Sequence, residues 1–400
     1  MHNETANSAG ASEYSPHASS ETTRPSSAEL FWYFLILGAT GFGGPIALVG
    51  NMEREFVERR RWATAQELKD GLAFSQLAPG PLAAQLAIYL GWLCAGVRGA
   101  TLTGVAFVAP SFLMVISLAA VYVRFGGIGW LQGAFYGIGA AVIAIIARSA
   151  LKLARTVLVR DPLLWCLFVV SAVSTAWREA EIVWLFILSG VVAMLIRARG
   201  ADRAVNALSL IPAVPAWNTI AATSVTALPL ALTVFAYFAS AGLFVFGSGL
   251  AIVPFLHDGV VQQHNWLTER QFLDAVAVAL ITPGPVVITV AFIGFLVAGA
   301  LGASAAAISV FAPVYVITVV FAPHYTRLKR NQRIRAFVDG VTAAATGAIA
   351  GAAFVLGRRA ITDFIAAGIA IAALLVLVRV RRLPEPLVIV AAGIVGVLLG

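Results

Sequence analysis

Apolar runs of about twenty residues, the length needed to cross a bilayer, follow one another along nearly the whole chain, with short polar segments between them. This pattern predicts an all-α, polytopic membrane protein. Crossings are expected to start near Leu30, Thr101, Ile128, Pro162, Ile182, Thr226, Ser304, Ala336, Ile361 and Leu387, about ten in all; Leu163 to Trp177 is short for a span. Two polar stretches carry helix-start signals. Thr64 with Glu67 three residues on forms a capping box, and Thr268 with Gln271 repeats it. Each starts a helix that runs into a proline-glycine-proline tripeptide, Pro79-Gly80-Pro81 or Pro283-Gly284-Pro285. Two prolines around a glycine should end one half-helix and begin another.

The run Leu72 to Leu93 could cross once as a kinked span or turn back as a re-entrant hairpin. Charge favours the hairpin. A single crossing would put Arg148, Lys152, Arg155 and Arg160 on the face opposite Arg59 to Arg61, against the tendency of basic residues to stay cytoplasmic. Re-entry makes both clusters cytoplasmic, together with Arg197, Arg199 and Arg203. Arg358 and Arg359 fall outside on this count, against the bias. The expectation is ten transmembrane helices plus two re-entrant hairpins.

The two tripeptides belong to an internal duplication. Phe42-Gly43, Trp62, Thr64 and Asp70 recur as Phe246-Gly247, Trp266, Thr268 and Asp274, and the match continues through Gly99/Gly302, Pro110/Pro313 and Arg155/Arg358. The basic residues swap ends between the copies. Asn51 to Gly71 holds Arg54, Arg59, Arg60, Arg61 and Lys69, whereas Phe255 to Ala275 holds only Arg270. Further on, Val123 to Ala134 holds Arg124 alone, but Thr326 to Phe337 holds Arg327, Lys329, Arg330, Arg333 and Arg335. The copies therefore read as upside down relative to each other, the inverted-repeat plan of secondary transporters. The expected organisation is a disordered, uncleaved tail at 1–28, a first repeat at 29–200, a linker at 201–225 carrying Pro212 and Pro215, and a second repeat at 226–400.

Composition narrows the class. Sixty per cent of residues are hydrophobic and twelve per cent charged, and the net charge of +8 sits mainly in loops, where it sets topology and is no sign of nucleic acid. The two cysteines, Cys94 and Cys166, lie far apart in apolar stretches, which argues against a disulfide framework, a thiolate metal site or a redox pair. No cofactor signature is present, so an enzyme is not expected.

Broken helices inside a membrane are tolerated only where they are buried or line a cavity. The breaks here are Gly43-Gly44-Pro45 and Gly247-Ser248-Gly249 together with the two tripeptides. Half-helices beginning at Pro81 and Pro285 present backbone N–H groups and a positive dipole end, which favour an anion. Ser75, Gln76 and Gln85 in the first copy, with Thr282 and Thr289 in the second, are the polar side chains flanking that site. For the hydroxyls the competing reading is helix packing. Asp70 and Asp274 are candidate proton-coupling sites, or simply interfacial residues at helix starts. Arg98 is the one isolated basic residue expected close enough to pair with an anion; Leu301 is its counterpart.

At Phe42-Gly43-Gly44-Pro45, Arg59-Arg60 with Trp62, Asp70-Gly71-Leu72-Ala73, Pro79-Gly80-Pro81, Gln85 through Gly91, and Gly96 through Arg98-Gly99, the chain resembles the chromate ion transporter family in its long, two-domain form. The resemblance runs from about Leu30 to the C-terminus. It implies export of chromate, a tetrahedral dianion shaped like sulfate, from a bacterial cytoplasm across the inner membrane. Chromate or a sulfate-like oxyanion and the lipid bilayer are the implied partners, and homodimerisation is left open. The second copy departs from the family pattern at Ser248-Gly249 and lacks the double arginine. With the cell interior about 100 mV negative, a departing dianion gains about 4.6 kcal/mol, so export would need no proton. Import of sulfate would.

Overall fold

The computed structural model describes residues 23–42, 44–125, 129–159, 161–178, 183–198, 227–243, 245–247, 249–325, 331–361, 363–380 and 383–399. Of the sequence expectations, the tail to residue 22, the linker at 201–225, Gly43, Ser248, the crossing starts at Ile128, Ile182 and Thr226, and the basic residues Arg160, Arg199, Arg203, Arg327, Lys329 and Arg330 lie outside them.

The first half contains α1 (Ser27–Thr40), α2 (Gly44–Glu53) running on as π-helical turns at Arg54–Arg59, α3 (Ala65–Leu77), the two-residue strand β1 (Gly80–Pro81), α4 (Leu82–Phe125), α5 (Gly129–Val157), α6 (Pro162–Arg178) and α7 (Val183–Ala198). The second half repeats the order. It contains α8 (Ala227–Leu243), β2 (Phe246–Gly247), a 3₁₀ turn at Gly249–Ile252, α9 (Val253–His257) with π-helical turns at Asp258–Gln263, and α10 (Glu269–Ile281). After a 3₁₀ turn at Val286–Ile288 come α11 (Thr289–Phe321), α12 (Gln332–Ala360), α13 (Phe364–Arg379) and α14 (Glu385–Leu399). Both capping boxes form: the Thr64 and Thr268 hydroxyls accept from the N–H of Glu67 and Gln271, whose side chains accept from the cap N–H in return.

Four apolar segments, Leu82–Phe125, Gly129–Val157, Val286–His324 and Gln332–Ala360, are long enough to cross a membrane. The first is not one rod. Ala95 and Gly96 are non-helical, with Gly96 at φ +60°, and the Thr103 hydroxyl donates to the Ala87 carbonyl at 2.9 Å. In a continuous helix those two residues would be about 24 Å apart. The 82–94 and 97–125 arms therefore lie antiparallel. They close so tightly that a Cβ on Gly91 would meet the Gly99 carbonyl oxygen at 2.5 Å. Ala298-Gly299 breaks α11 in the same way, and Gly294 meets Gly302.

The chain also folds back at the tripeptide. Phe74 on α3 stacks on Tyr89 of the 82–94 arm with ring centroids 5.7 Å apart, and a Cβ on Gly71 would strike the Tyr89 ring. These contacts put Pro79-Gly80-Pro81 at the tip of a helical hairpin.

The long helices that follow show how the halves are related. Ile143 of α5 lies against Gly357 of α12, while Ala154 and Ala343 share one apolar cluster. Rising numbers on α5 meet falling numbers on α12, so these equivalent helices run antiparallel. The last two helices of each half pack on the long helix of the other. Gly133 and Gly137 of α5 touch the backbone of Gly396 and Ala392 on α14, and Gly347 and Gly351 of α12 touch that of Phe168 and Ala172 on α6. Small residues permit this approach where apolar burial gives no drive between helices in lipid. Charged pairs follow the same exchange: Arg148 of α5 donates to Glu385 of α14 at 3.2 Å, and Arg197 of α7 bridges Asp161 to Asp339 of α12 at 2.5 Å each. The Arg197 hydrogen bond holds the Asp161 carboxyl below the ordinary carboxylate range.

Two sequence expectations change here. Residues 23–26 of the expected tail are fixed, because Thr23 donates from its amide to the Arg61 carbonyl at 3.1 Å and from its hydroxyl to that of Arg60 at 2.9 Å. Arg359, which ran against the charge bias, is paired with Glu269, and Glu269 also holds His257 at 2.7 Å.

Candidate functional site at two interlocked helical tips

Each tripeptide tip is bonded to the opposite repeat. The N–H of Gly80 donates to the Val245 carbonyl at 2.5 Å, and Gly80-Pro81 pairs in parallel with Phe246-Gly247. The N–H of Gly284 donates to the Gly41 carbonyl at 3.0 Å. Gly41 and Val245 occupy matching positions, so these two bonds exchange under a pseudo-two-fold axis. Beneath each tip lies a residue from the other half. Val314 packs against Gly80, and Ser111, its counterpart, donates to the Pro283 carbonyl at 2.8 Å from beneath Gly284.

Glycine is required at both tips. Gly80 sits at φ +140° and Gly284 at φ +102°, left-handed backbone that side chains rarely adopt. Space is missing as well: a Cβ on Gly80 would come within 2.8 Å of the Gln85 side chain and one on Gly284 within 1.9 Å of the Ser111 hydroxyl. The N–H groups of the two tip glycines are thus used in holding the repeats together. Those left to face a ligand belong to the first turn after each tip, where helix geometry leaves N–H groups without a partner inside the helix.

The side chains singled out in the sequence divide sharply. Gln85 is fully buried at the first tip and donates from Nε2 to the Pro79 carbonyl at 2.7 Å. Its Oε1 is buried with no donor. Ser75, Thr282 and Thr289 are buried too, but each hydroxyl donates to a carbonyl of its own helical turn: Gly71 at 2.8 Å, Val278 at 2.6 Å and Val286 at 2.8 Å. Gln76 is exposed and does not converge with Gln85. Pro45 is half-buried at the start of α2, Gly44 opens that helix, and Gly247 pairs with Pro81 across the repeats.

Arg98 does not belong to this group. It is exposed just past the Ala95-Gly96 turn, at the far end of a thirteen-residue arm about 20 Å long. The expectation placed it just past the return of the hairpin and took that point to be close to the anion, but the length of the arm separates the two. Arg98→Ala should accordingly leave substrate affinity within about twofold of wild type, as for an ordinary surface change, in a flux titration.

Asp274 is buried, 3% exposed, and accepts from the Tyr122 hydroxyl at 2.7 Å across the repeat boundary. Tyr325 occupies the matching position to Tyr122. It packs edge-on against Phe74 at 5.8 Å, within electrostatic reach of Asp70. These two tyrosines went unremarked in the sequence, although aligning the copies pairs them as it pairs the aspartates. The couples tie α10 to α4 and α3 to the segment after α11, a structural duty that an amide could also meet. Asp70→Asn is therefore expected to keep transport and its pH profile; loss of both would make Asp70 a proton carrier.

A sequence profile described as "Chromate transporter" matches residues 28–194 and 232–397, one match per repeat. The chain belongs to the chromate transporter family. It is 50% identical over 368 residues to the "Chromate transport protein" of Cupriavidus metallidurans, covering 92% of each chain. It is also 50% identical over 375 residues to a "Probable chromate transport protein" of Synechococcus elongatus, covering 92% of this chain and 95% of that one. A "Chromate transport protein" of Pseudomonas aeruginosa is 33% identical over 331 residues, 80% of this chain and 79% of the other. No solved structure matches. Membership of this family, with the apolar helices above, makes the chain a multi-pass membrane transporter.

Proposed function

We propose that this protein exports chromate from the bacterial cytoplasm across the inner membrane by alternating access, binding the anion between the two tripeptide tips. The observation that carries this reading is the interlock of two helix starts at a pseudo-two-fold axis, with Gly80 held by Val245 and Gly284 by Gly41. Helix N-termini favour anions through their free N–H groups and dipole, and the relatives named for chromate transport supply the substrate. The α3 and α10 hairpins enter and leave the membrane on one face each; with Thr23 bonded to Arg60 and Arg61 and Gly41 meeting the Gly284 tip, α1 and α2 form a further such hairpin in place of one of the ten crossings expected. The antiparallel α5 and α12 suit a rocking motion of one half against the other around a fixed site. Each negative charge leaving a cell about 100 mV negative inside gains about 2.3 kcal/mol, so the membrane potential alone can drive export.

The test is chromate uptake into inverted membrane vesicles with the potential clamped and sulfate as competitor. Saturable uptake that follows a lumen-positive potential supports the proposal. Potential-independent flux, or a non-saturating anion current, would replace it with an exchanger or a channel, and preference for sulfate would make this a sulfate permease.

A further inference from the structure

Gln85 is the one fully buried side chain at the tips, among the described residues, with a polar atom that makes no hydrogen bond. Its Nε2 is spent on the Pro79 carbonyl at 2.7 Å, and its Oε1 has no donor. Turning the amide over would not help, because Oε1 would then face the Pro79 oxygen. Gln85 sits one turn into the 82–94 arm, at a helix start whose first N–H groups have no partner inside the helix. A buried acceptor without a donor is rare in folded proteins, and a ligand is one way to satisfy it.

A bare tetrahedral dianion would bring only acceptors, and its oxygen against the Gln85 oxygen is repulsive. A hydrogen oxyanion brings one O–H and three accepting oxygens. That set suits an orphaned acceptor at a helix start, where N–H groups also seek acceptors. We propose that the first tip selects the singly protonated, monoanionic form of the oxyanion, with Gln85 Oε1 accepting from its O–H. This rests on the proposed binding at the tips and adds the charge state of the substrate. In the register of Gly91 and Gly294 the second tip has Ile288 at the matching position, and the hydroxyl of the neighbouring Thr289 already donates to Val286 at 2.8 Å, so the selection is a property of the first repeat. Chromate takes up a proton near neutral pH, whereas sulfate does so only in strong acid. One carbonyl oxygen therefore separates two dianions of the same shape.

The charge carried per chromate decides the matter. In inverted vesicles bearing the full-length protein, with equal pH on both sides and a lumen-positive clamp of about 60 mV, one charge gives an equilibrium accumulation of about tenfold and two charges about a hundredfold. Tenfold accumulation is expected, with chromate uptake at low substrate rising as pH falls from 8 to 6 and sulfate competing poorly throughout. In Gln85→Met that rise and the preference over sulfate should both disappear. Hundredfold accumulation, or an unchanged pH dependence in Gln85→Met, would overturn the inference while leaving the dianion free to bind at the tips. Flux that survives in a Gly80→Leu protein would remove the tips themselves, and this inference with them.

Discussion

Replacing Gly80 with leucine is expected to abolish chromate flux while the protein still reaches the membrane. Two costs act together. The backbone at φ +140° disfavours any side chain, and a Cβ there would lie within 2.9 Å of both the Gln85 amide and the Val314 methyl. Strain of this kind costs on the order of 1–3 kcal/mol per residue, and relieving it means withdrawing the tip from Val245. The first turn of the 82–94 arm would then no longer face the second tip. Flux in vesicles, normalised to membrane-inserted protein, is the readout. Gly284→Leu should behave alike, because its Cβ would fall on the Ser111 hydroxyl. Wild-type flux in an inserted Gly80→Leu protein would take Pro79-Gly80-Pro81 out of the site.

The second large effect concerns assembly. Gly137→Leu should prevent stable accumulation, because even a Cβ at this position would lie 2.0 Å from the Ala392 backbone oxygen. Backbone cannot move aside cheaply in a close-packed interface, and this contact is where α14 of the second repeat docks on α5 of the first. Gly368→Leu is the control, since nothing lies within 4 Å of a Cβ there. It should accumulate normally, as measured by detergent-solubilised monodisperse protein. Equal yields of the two variants would contradict the interleaved packing.

What the sequence revealed, and what it hid, follows from the range of each interaction. The capping boxes at Thr64 and Thr268 were legible because their partners sit three residues away. The fold-back at Pro79-Gly80-Pro81 was legible because two prolines interrupt the run and the distant charge pattern favoured a hairpin over a kinked span. A return between Leu93 and Thr101 followed from that hairpin, and the contacts of Gly91 with Gly99 and of Thr103 with Ala87 fix it at Ala95-Gly96. What misled for Arg98 was the length of the arm, which puts about 20 Å between the turn and the tip. The cross-repeat bonds from Gly80 and Gly284 were invisible, since helical periodicity gives no register between segments so far apart in sequence. Gln76 and Gln85 were picked out with the hydroxyls of Ser75, Thr282 and Thr289 as polar side chains flanking the tips, but Gln76 is exposed and the hydroxyls serve their own turns.

The central claim is that the two repeats enter the membrane from opposite sides, so that their tips meet. Single cysteines placed beside Arg60 and beside His264, probed with a membrane-impermeant thiol reagent in intact cells and in inverted vesicles, test it most directly. The account predicts that the position near residue 60, like one near Arg335, reacts only when the cytoplasmic face is exposed, and that the position near residue 264 reacts only from outside. Labelling of residues 60 and 264 from the same face would contradict it.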